Sequence, residues 1–277
     1  MISIKIPLLA AILAFSFNVY EPYSPKPEPV IPEEPEISMP EEPKTPSVKE
    51  MLTHALQPVG NCLYVYGGAW NEEDTAAGVE ALSVGVSPRW EEFFNENDST
   101  YNYKNTRYQI HDGLDCTGYV GWTMYQIYGD KYSNNGYVVQ SKNMAAAYAE
   151  IFQSELIKKE NVSNYMPGDI MCSSSHVYMV IGECSDGSVV FLHASPPVVS
   201  ICGTYAPDGT TNSEAVQLAK HYMSTYYPKS YKKFPTCHRN TSYLKDYNQV
   251  RLSDEVLSDP DGYKNMTPAQ ILEDLFI

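Results

Sequence analysis

Two apolar runs rich in β-branched residues limit the fold of this chain more than any other feature. They are IMCSSSHVYMVIGE (170–183) and SVVFLHASPPVVSI (188–201), and the turn-forming Cys-Ser-Asp-Gly separates them. Two such runs on either side of a turn predict an antiparallel β-hairpin. With a four-residue loop Glu183 faces Ser188 and His193 faces Tyr178, two residues from His176. That register places the two histidines on the same face of the sheet.

Helical patterns come mostly before the hairpin, and strand signals follow them. The hairpin and a short strand at NQVRLS (248–253) come after three of these patterns. Helices followed by an antiparallel sheet predict an α+β domain with helices packed on a sheet of about five strands. The predicted helices are VKEMLTHALQPVG (48–60), the stretch from a cap at Asp115 to Gly129, SKNMAAAYAEIFQSELIKKE (141–160), and the residues after Thr267-Pro268.

The first 47 residues differ in composition from the rest of the chain. The run IPLLAAILAFSF follows Lys5 and predicts a signal peptide or an N-terminal anchor over residues 1–20. Nine prolines between Pro22 and Pro46, interleaved with glutamates, predict a disordered spacer over residues 21–47. The remaining residues, 48–277, are expected to form one domain.

Residues 70–113 are polar and aromatic, and we interpret them as an insert in that domain. Helices are predicted after Asn71 and after Ser87, which would cap a helix that has Pro88 in its first turn. The insert either forms a wall of a cleft or packs elsewhere as decoration. We expect it to shape substrate choice rather than to stabilise the fold. Its two arginines, Arg89 and Arg107, are candidate partners for substrate carboxylates.

The net charge of the chain argues against negatively charged partners, whereas its cysteines could be either paired in disulfides or free. A formal net charge of −15 argues against nucleic acid and anionic membrane surfaces as partners. Six cysteines in a secreted chain could form disulfides or remain buried free thiols, and their number does not decide between the two.

The stretch GLDCTGYVGW (113–122) contains the strongest candidate for a reactive side chain. If Asp115 caps a helix, Cys116 lies in its first turn, where the helix dipole favours a thiolate. The charge of Asp115 opposes this effect unless its oxygens are occupied in capping. The small residues Thr117 and Gly118 would leave room for a substrate carbonyl and backbone N–H groups for an oxyanion.

A cysteine nucleophile needs a base, and the hairpin supplies two histidines on one face. His176 could take the proton from Cys116 while His193 orients the His176 ring. A closed zinc site on the same residues is disfavoured, because such sites use close-spaced ligand pairs that are absent here. No metal or other cofactor is therefore predicted.

Four sequence blocks resemble those of NlpC-like cell-wall cysteine peptidases and occur in the same order. GLDCTGYV resembles the block around the nucleophile, MPGDIMCSSSHVYMVIG the block of the catalytic histidine, FLHAS the block of the second histidine, and LYVYGG the block of an active-site tyrosine. The resemblance covers about residues 48–200. The chain departs from the pattern in the forty-four residues of the insert and in the segment 204–248, which has no counterpart.

The resemblance implies a papain-like fold and a bacterial enzyme that is secreted or associated with the cell wall. It also implies hydrolysis of peptidoglycan stem peptides, commonly between D-glutamate and a diamino acid, through a thioester. A monomer without a cofactor is expected. Two alternatives stay open: a CHAP-like N-acetylmuramoyl-L-alanine amidase, and a wall-binding or interaction module whose catalytic residues are idle. The implied catalytic residues are Cys116, His176 and His193, and the implied substrate contacts are Tyr64, Asp115, Thr117 and Ser175.

Overall fold

The computed structural model describes residues 44–277. The predicted signal peptide and all but the last residues of the predicted spacer lie outside this range. None of the described helices is long and apolar enough to cross a bilayer. The helices are α1 (Val48–Leu56), α2 (Pro88–Glu96), α3 (Cys116–Tyr128), α4 (Ser141–Ile151), α5 (Glu214–Tyr226), α6 (Pro228–Lys233), α7 (Ser242–Lys245) and α8 (Pro268–Phe276).

One sheet of seven strands forms the centre of the described domain, with the order β1-β7-β2-β3-β4-β5-β6. Neighbouring strands are antiparallel except for β5 and β6, which are parallel. The strands are β1 (Glu155–Ile157), β2 (Ile170–Cys172), β3 (Val177–Glu183), β4 (Val189–Ser195), β5 (Val198–Thr204), β6 (His238–Arg239) and β7 (Asn248–Arg251).

The architecture confirms the predicted α+β class and corrects the details of the sheet. It has seven strands rather than about five, and it is mixed rather than wholly antiparallel. Each predicted hairpin arm is in fact two strands. The first arm turns at Ser173, whose backbone N–H donates to the His176 carbonyl at 2.8 Å, and the second turns between Ser195 and Val198.

The register between β3 and β4 agrees with the prediction beside the histidines but not beside the loop. Met179 pairs with Leu192. The next residues along the two strands in this register are Tyr178 and His193, which is the pairing that the sequence predicts. At the other end Glu183 pairs with Val189, one residue away from the predicted Ser188. A bulge between Val180 and Gly182 absorbs the difference, so the faces of the histidines are preserved.

Several predicted helices are present with different ends. The segment 141–160 is helical only to Ile151, and Glu155–Ile157 instead adds an edge strand beside β7. No helix follows Asn71, because its side-chain oxygen accepts the backbone N–H groups of Thr75 and Ala76 at 2.9 and 3.3 Å and closes a turn. The helix after Pro88 is confirmed, but Ser87 makes no capping hydrogen bond.

Helix α3 carries the candidate nucleophile and is buried on almost every side. It contacts α1 as well as strands β3 and β4. Its residues Tyr119, Val120, Trp122 and Met124 are fully buried, and the Tyr119 hydroxyl donates to the Ala55 carbonyl in α1. This packing fixes the first turn of α3 relative to the strands that carry the histidines.

The insert contributes to the core, contrary to the expectation that it does not stabilise the fold. Trp90 in α2 is fully buried and packs edge-on against Trp122 of α3, with ring centroids 5.7 Å apart. Phe94 is also buried, against Phe234 after α6. The insert therefore stabilises the fold as well as bordering the candidate site.

Candidate active site

The first turn of α3 is built as the sequence predicts. Asp115 has extended backbone dihedrals, and its Oδ1 accepts the Gly118 backbone N–H at 2.7 Å. The Thr117 hydroxyl donates to the same oxygen at 2.8 Å. Asp115 thus caps the helix with an occupied carboxylate, and Cys116 is the first helical residue.

Two small residues beside Cys116 have structural roles that the sequence did not reveal. The N–H of Gly118 is already bonded to Asp115, so it is not free for an oxyanion. A Cβ at Gly118 would lie 2.1 Å from the Gly68 carbonyl oxygen, which explains why this position needs glycine. The Thr117 hydroxyl accepts the indole N–H of Trp70 at 3.0 Å and so ties the insert to α3.

A cleft of about 400 Å³ opens beside Cys116. All four residues predicted to contact substrate line it together with Cys116: Tyr64, Asp115, Thr117 and Ser175. Trp70 and Asp74 of the insert border one part of the cleft, whereas Ser141 and Lys142 of α4 border another. The insert therefore forms part of the cleft wall, which decides between the two alternatives left open by the sequence.

The arginines of the insert differ in their availability. Arg89 is held by Asp112 at 2.7 Å and by Glu96 at 2.9 Å, so its charge is already paired within the protein. Arg107 is exposed and lies over the ring of Tyr66, 4.3 Å from its centroid, and Tyr66 lines the cleft. Of the two predicted carboxylate partners, only Arg107 keeps the freedom to act as one.

The two histidines form a hydrogen-bonded pair behind the cleft. His176 Nε2 and His193 Nδ1 are 3.0 Å apart, and the two rings meet edge-on. His193 is fully buried in β4, whereas His176 is partly exposed just before β3. The bond occupies Nε2 of His176, which leaves Nδ1 as the nitrogen that can take a proton.

Cys116 lies against the start of β3. It lines the same cleft as Ser175, the residue that precedes His176. Tyr247 lies close to His176, with ring centroids 6.4 Å apart. The contacts of α3 with β3 and β4, together with the cleft that Cys116 and Ser175 share, place Cys116 near the histidine pair.

The resting charges of these residues differ from the prediction. Burial raises the pKa of the Cys116 thiol well above its usual range, and the nearby Asp115 carboxylate adds to this rise. Burial lowers the pKa of His176 to about 3, with a further contribution from Arg239. Burial and Arg239 also hold the pKa of His193 well below its usual value. The resting pair at neutral pH is therefore a thiol beside a neutral imidazole, rather than a thiolate beside an imidazolium.

Sequence reasoning missed the residues that cover the histidines. Tyr243 of α7 packs against His176, with ring centroids 5.6 Å apart, and its carbonyl accepts the Tyr178 hydroxyl at 2.7 Å. The Tyr247 ring packs against those of Tyr178 and Tyr243, with centroids 5.0 and 5.2 Å apart. The two tyrosines precede the predicted strand at 248–253, but only the strand order, with β7 beside β2, brings them to His176.

The cysteines and acidic groups add no metal site at this position. All six cysteines lie within the described residues, and all are buried and unpaired. Among residues 44–277 the one group of three potential metal ligands is Cys184, Asp186 and Glu214. Its carboxylates already accept hydrogen bonds from the Glu214 backbone N–H at 2.8 Å and from the Ser185 hydroxyl at 2.8 Å.

Comparison with protein-family models gives no match to this chain, and comparisons with curated proteins and with solved structures also give none.

Proposed function

We propose that the protein is a cysteine peptidase of papain-like, NlpC-like type that hydrolyses peptidoglycan stem peptides outside the bacterial cell. The bond between D-glutamate and a diamino acid is the proposed point of cleavage. Cys116 is the nucleophile, His176 the general base and acid, and His193 the residue that orients His176. No cofactor takes part in the proposed reaction.

One observation carries the proposal: His176 is hydrogen bonded to His193 and directly follows Ser175, which lines the same cleft as Cys116 at its capped helix start. Nucleophile, base and orienting group in this sequence are the requirements of covalent catalysis. A purely structural histidine pair would have no need of the cleft. All four residues implied as substrate contacts by the sequence resemblance line that cleft.

The reaction begins with attack of the Cys116 sulfur on the substrate carbonyl carbon. Because both groups are neutral at rest, the thiol proton moves to His176 Nδ1 as the carbon–sulfur bond forms. The backbone N–H of Cys116 is a donor for the oxyanion. His176 then gives its proton to the leaving amine and a thioester remains. Water, activated by His176, hydrolyses the thioester to a carboxylic acid and restores the thiol.

The burial of the candidate nucleophile favours one competing function, a wall-binding module with idle catalytic residues. Only 7% of Cys116 is exposed, and its thiol has a raised pKa. Such a module would use the same cleft to hold a stem peptide without cleaving it. The two functions differ in whether bound substrate is turned over.

Digestion of purified peptidoglycan, followed by mass spectrometry of the fragments, tests the proposal. The wild-type protein is expected to release peptides that begin with the diamino acid and to leave L-alanyl-D-glutamate on the glycan, and Cys116→Ala is expected to release none. Free stem peptides beginning with L-alanine, with no cut inside the stem, would identify the amidase instead. Intact stems together with binding of the protein to the wall would identify the idle module.

A further inference from the structure

The rim of the cleft carries an arginine, Arg107, whose charge is not neutralised within the described part of the chain. None of the ion pairs found in residues 44–277 includes it. Its guanidinium lies 4.3 Å from the ring centroid of Tyr66 and 5.8 Å from that of Tyr108. Because an aromatic face attracts a cation without removing its charge, Arg107 remains able to pair with an anion from outside the protein.

The other three arginines are used within the fold. Arg89 and Arg251 form ion pairs with carboxylates, and Arg239 donates to a backbone carbonyl at 2.8 Å. These three side chains are also partly buried, whereas Arg107 is exposed. Among the arginines of the described residues, Arg107 is therefore the one that is placed to bind a ligand.

The backbone holds Arg107 in place although its side chain is exposed. The next residue, Tyr108, donates its backbone N–H to the Tyr66 carbonyl at 2.8 Å, and the two tyrosine rings meet edge-on with centroids 5.4 Å apart. Gly67 has a left-handed φ of 86°, and a Cβ there would lie 3.0 Å from Tyr108 Cδ1, so this point of contact favours glycine. A charged group held in this way loses less conformational freedom when it binds a ligand.

The stretch that begins at Tyr66 also connects Arg107 to the candidate nucleophile. Tyr66 lines the cleft together with Cys116. Two residues further on, the Gly68 carbonyl accepts the backbone N–H of Asp115 at 3.3 Å, directly before Cys116. A ligand attacked by the Cys116 sulfur would therefore lie along a wall whose edge carries the guanidinium of Arg107.

The proposed substrate has anionic groups close to the bond that is cut. D-Glutamate has two carboxyl groups, and only one of them forms the bond to the diamino acid. The other is a free carboxylate unless it is amidated, and a tripeptide stem also ends in the carboxylate of the diamino acid. A guanidinium can donate two parallel hydrogen bonds to either carboxylate, whereas a neutral amide offers it one oxygen and no opposite charge.

We propose that Arg107 is a specificity-determining residue that binds a free carboxylate beside the cut bond of the stem peptide. The protein then selects stems in which this carboxylate is not amidated. The identity of the ligand rests on the proposed function, but the selection can be measured as binding, without any turnover.

The test is calorimetric binding of three tripeptides to Cys116→Ala protein with and without Arg107→Gln. All three consist of L-alanine, D-glutamate and L-lysine: one has both carboxylates free, one is amidated at the D-glutamate carboxyl, and one is amidated at the C-terminus. With Arg107 present, one of the amidated peptides is expected to bind at least about tenfold more weakly than the free peptide. The amide that causes this loss identifies the carboxylate. With Arg107→Gln the difference should fall below about threefold.

Two further variants show whether the charge and the shape of Arg107 are both needed. Arg107→Lys keeps the charge without the planar fork and should retain part of the preference. Lys104→Gln removes an exposed charge from the same insert and should leave the preference unchanged. Equal weakening of all three peptides in Arg107→Gln would show a merely structural role and overturn the proposal. Equal affinities in the presence of Arg107, or no measurable binding of any peptide, would also overturn it.

Digestion of the same peptides by protein with Cys116 intact separates this proposal from the proposed function. A preference for the free carboxylate without cleavage would refute the peptidase and leave the role of Arg107 in place. Cleavage of all three peptides with the same kcat/KM would support the peptidase and refute the role of Arg107.

Discussion

At the scale of single residues, the neutral thiol of Cys116 and the neutral imidazole of His176 have the greatest effect on how the site could react. Many cysteine nucleophiles are activated by an adjacent cation or by a helix start. Here burial and Asp115 outweigh the first turn of α3, and Cys116 remains a thiol. The geometry therefore favours proton transfer to His176 during attack over a preformed ion pair.

This difference predicts the pH dependence of alkylation. With a raised thiol pKa, the thiolate fraction of Cys116 grows by about tenfold per pH unit from pH 6 to 9, and the labelling rate should rise in parallel. Iodoacetamide labelling followed by peptide mapping measures the rate for each cysteine. Cys116 should be labelled first, because it is the most exposed of the six and lines the cleft. Cys172 is the internal control.

A labelling rate that stays level from pH 5 to 8 would show an ion pair between thiolate and imidazolium instead. Preferential labelling of Cys172 would count against a catalytic role of Cys116.

The histidines should differ in how much their loss costs. His176→Ala removes the base and is expected to lower kcat/KM by about 10²- to 10⁴-fold. His193→Gln keeps an amide that can form a hydrogen bond with His176. Its loss of kcat/KM should therefore be at least about tenfold smaller than that of His176→Ala. Steady-state kinetics on stem peptides measures both. Equal losses would mean that the two histidines do not divide the roles of base and orienting group.

At the scale of secondary-structure elements, the residue that caps α3 affects both the stability of the fold and the candidate nucleophile beside it. Asp115 stabilises the helix start through two hydrogen bonds, yet burial raises its pKa to about 6. Because the pKa of Asp115 is higher in the folded protein than in the unfolded chain, protonation of Asp115 stabilises the folded state at low pH. This stabilisation is lost as the pH rises through about 6.

Asp115→Asn should therefore gain stability relative to the wild type as the pH rises. The difference in unfolding free energy between the variant and the wild type should change by about 1.4 kcal/mol per unit of pKa shift. The whole change should occur between about pH 4 and pH 8. Urea unfolding at both pH values measures it, and Asp74→Asn on the exposed insert is the matched control. A relative stability that falls with pH would show that the buried carboxylate is stabilised by its ionisation.

Helix α2 provides a test of the corrected role of the insert. Trp90→Ala is expected to destabilise the protein by about 3 to 5 kcal/mol, because it leaves a cavity against Trp122. Glu91→Ala on the exposed side of the same helix should change stability by less than about 0.5 kcal/mol. Denaturant unfolding of both variants gives the comparison. Equal stabilities would restore the view that the insert only decorates the surface.

The same elements show what local sequence can predict. The cap at Asp115, the helix after Thr267-Pro268 and the strand at Asn248–Arg251 follow local rules, and all three are present. The end of α4 and the bulge in β3 were not predicted. Ile151 is followed by residues that could continue a helix, and only pairing with β7 makes Glu155–Ile157 a strand.

At the scale of the whole molecule, long-range order completes the candidate site. The candidate nucleophile, the two histidines and four cleft residues could be proposed from the sequence because each lies in a short block with its own chemistry. Arg239, Tyr243 and Tyr247 lie in a segment without such a block. Their position depends on the parallel pairing of β5 with β6 and on β7 lying beside β2. No local pattern encodes either pairing.

The central claim is that Cys116 forms a thioester with substrate. The direct test mixes the protein with purified stem peptides, quenches the mixture in acid after short intervals, and measures the intact mass and the mass of the peptide containing Cys116. We expect a transient added mass equal to the acyl part of the stem peptide, located on Cys116 and absent from Cys116→Ala. Cleaved product without an adduct, formed equally well by Cys116→Ala, would contradict it.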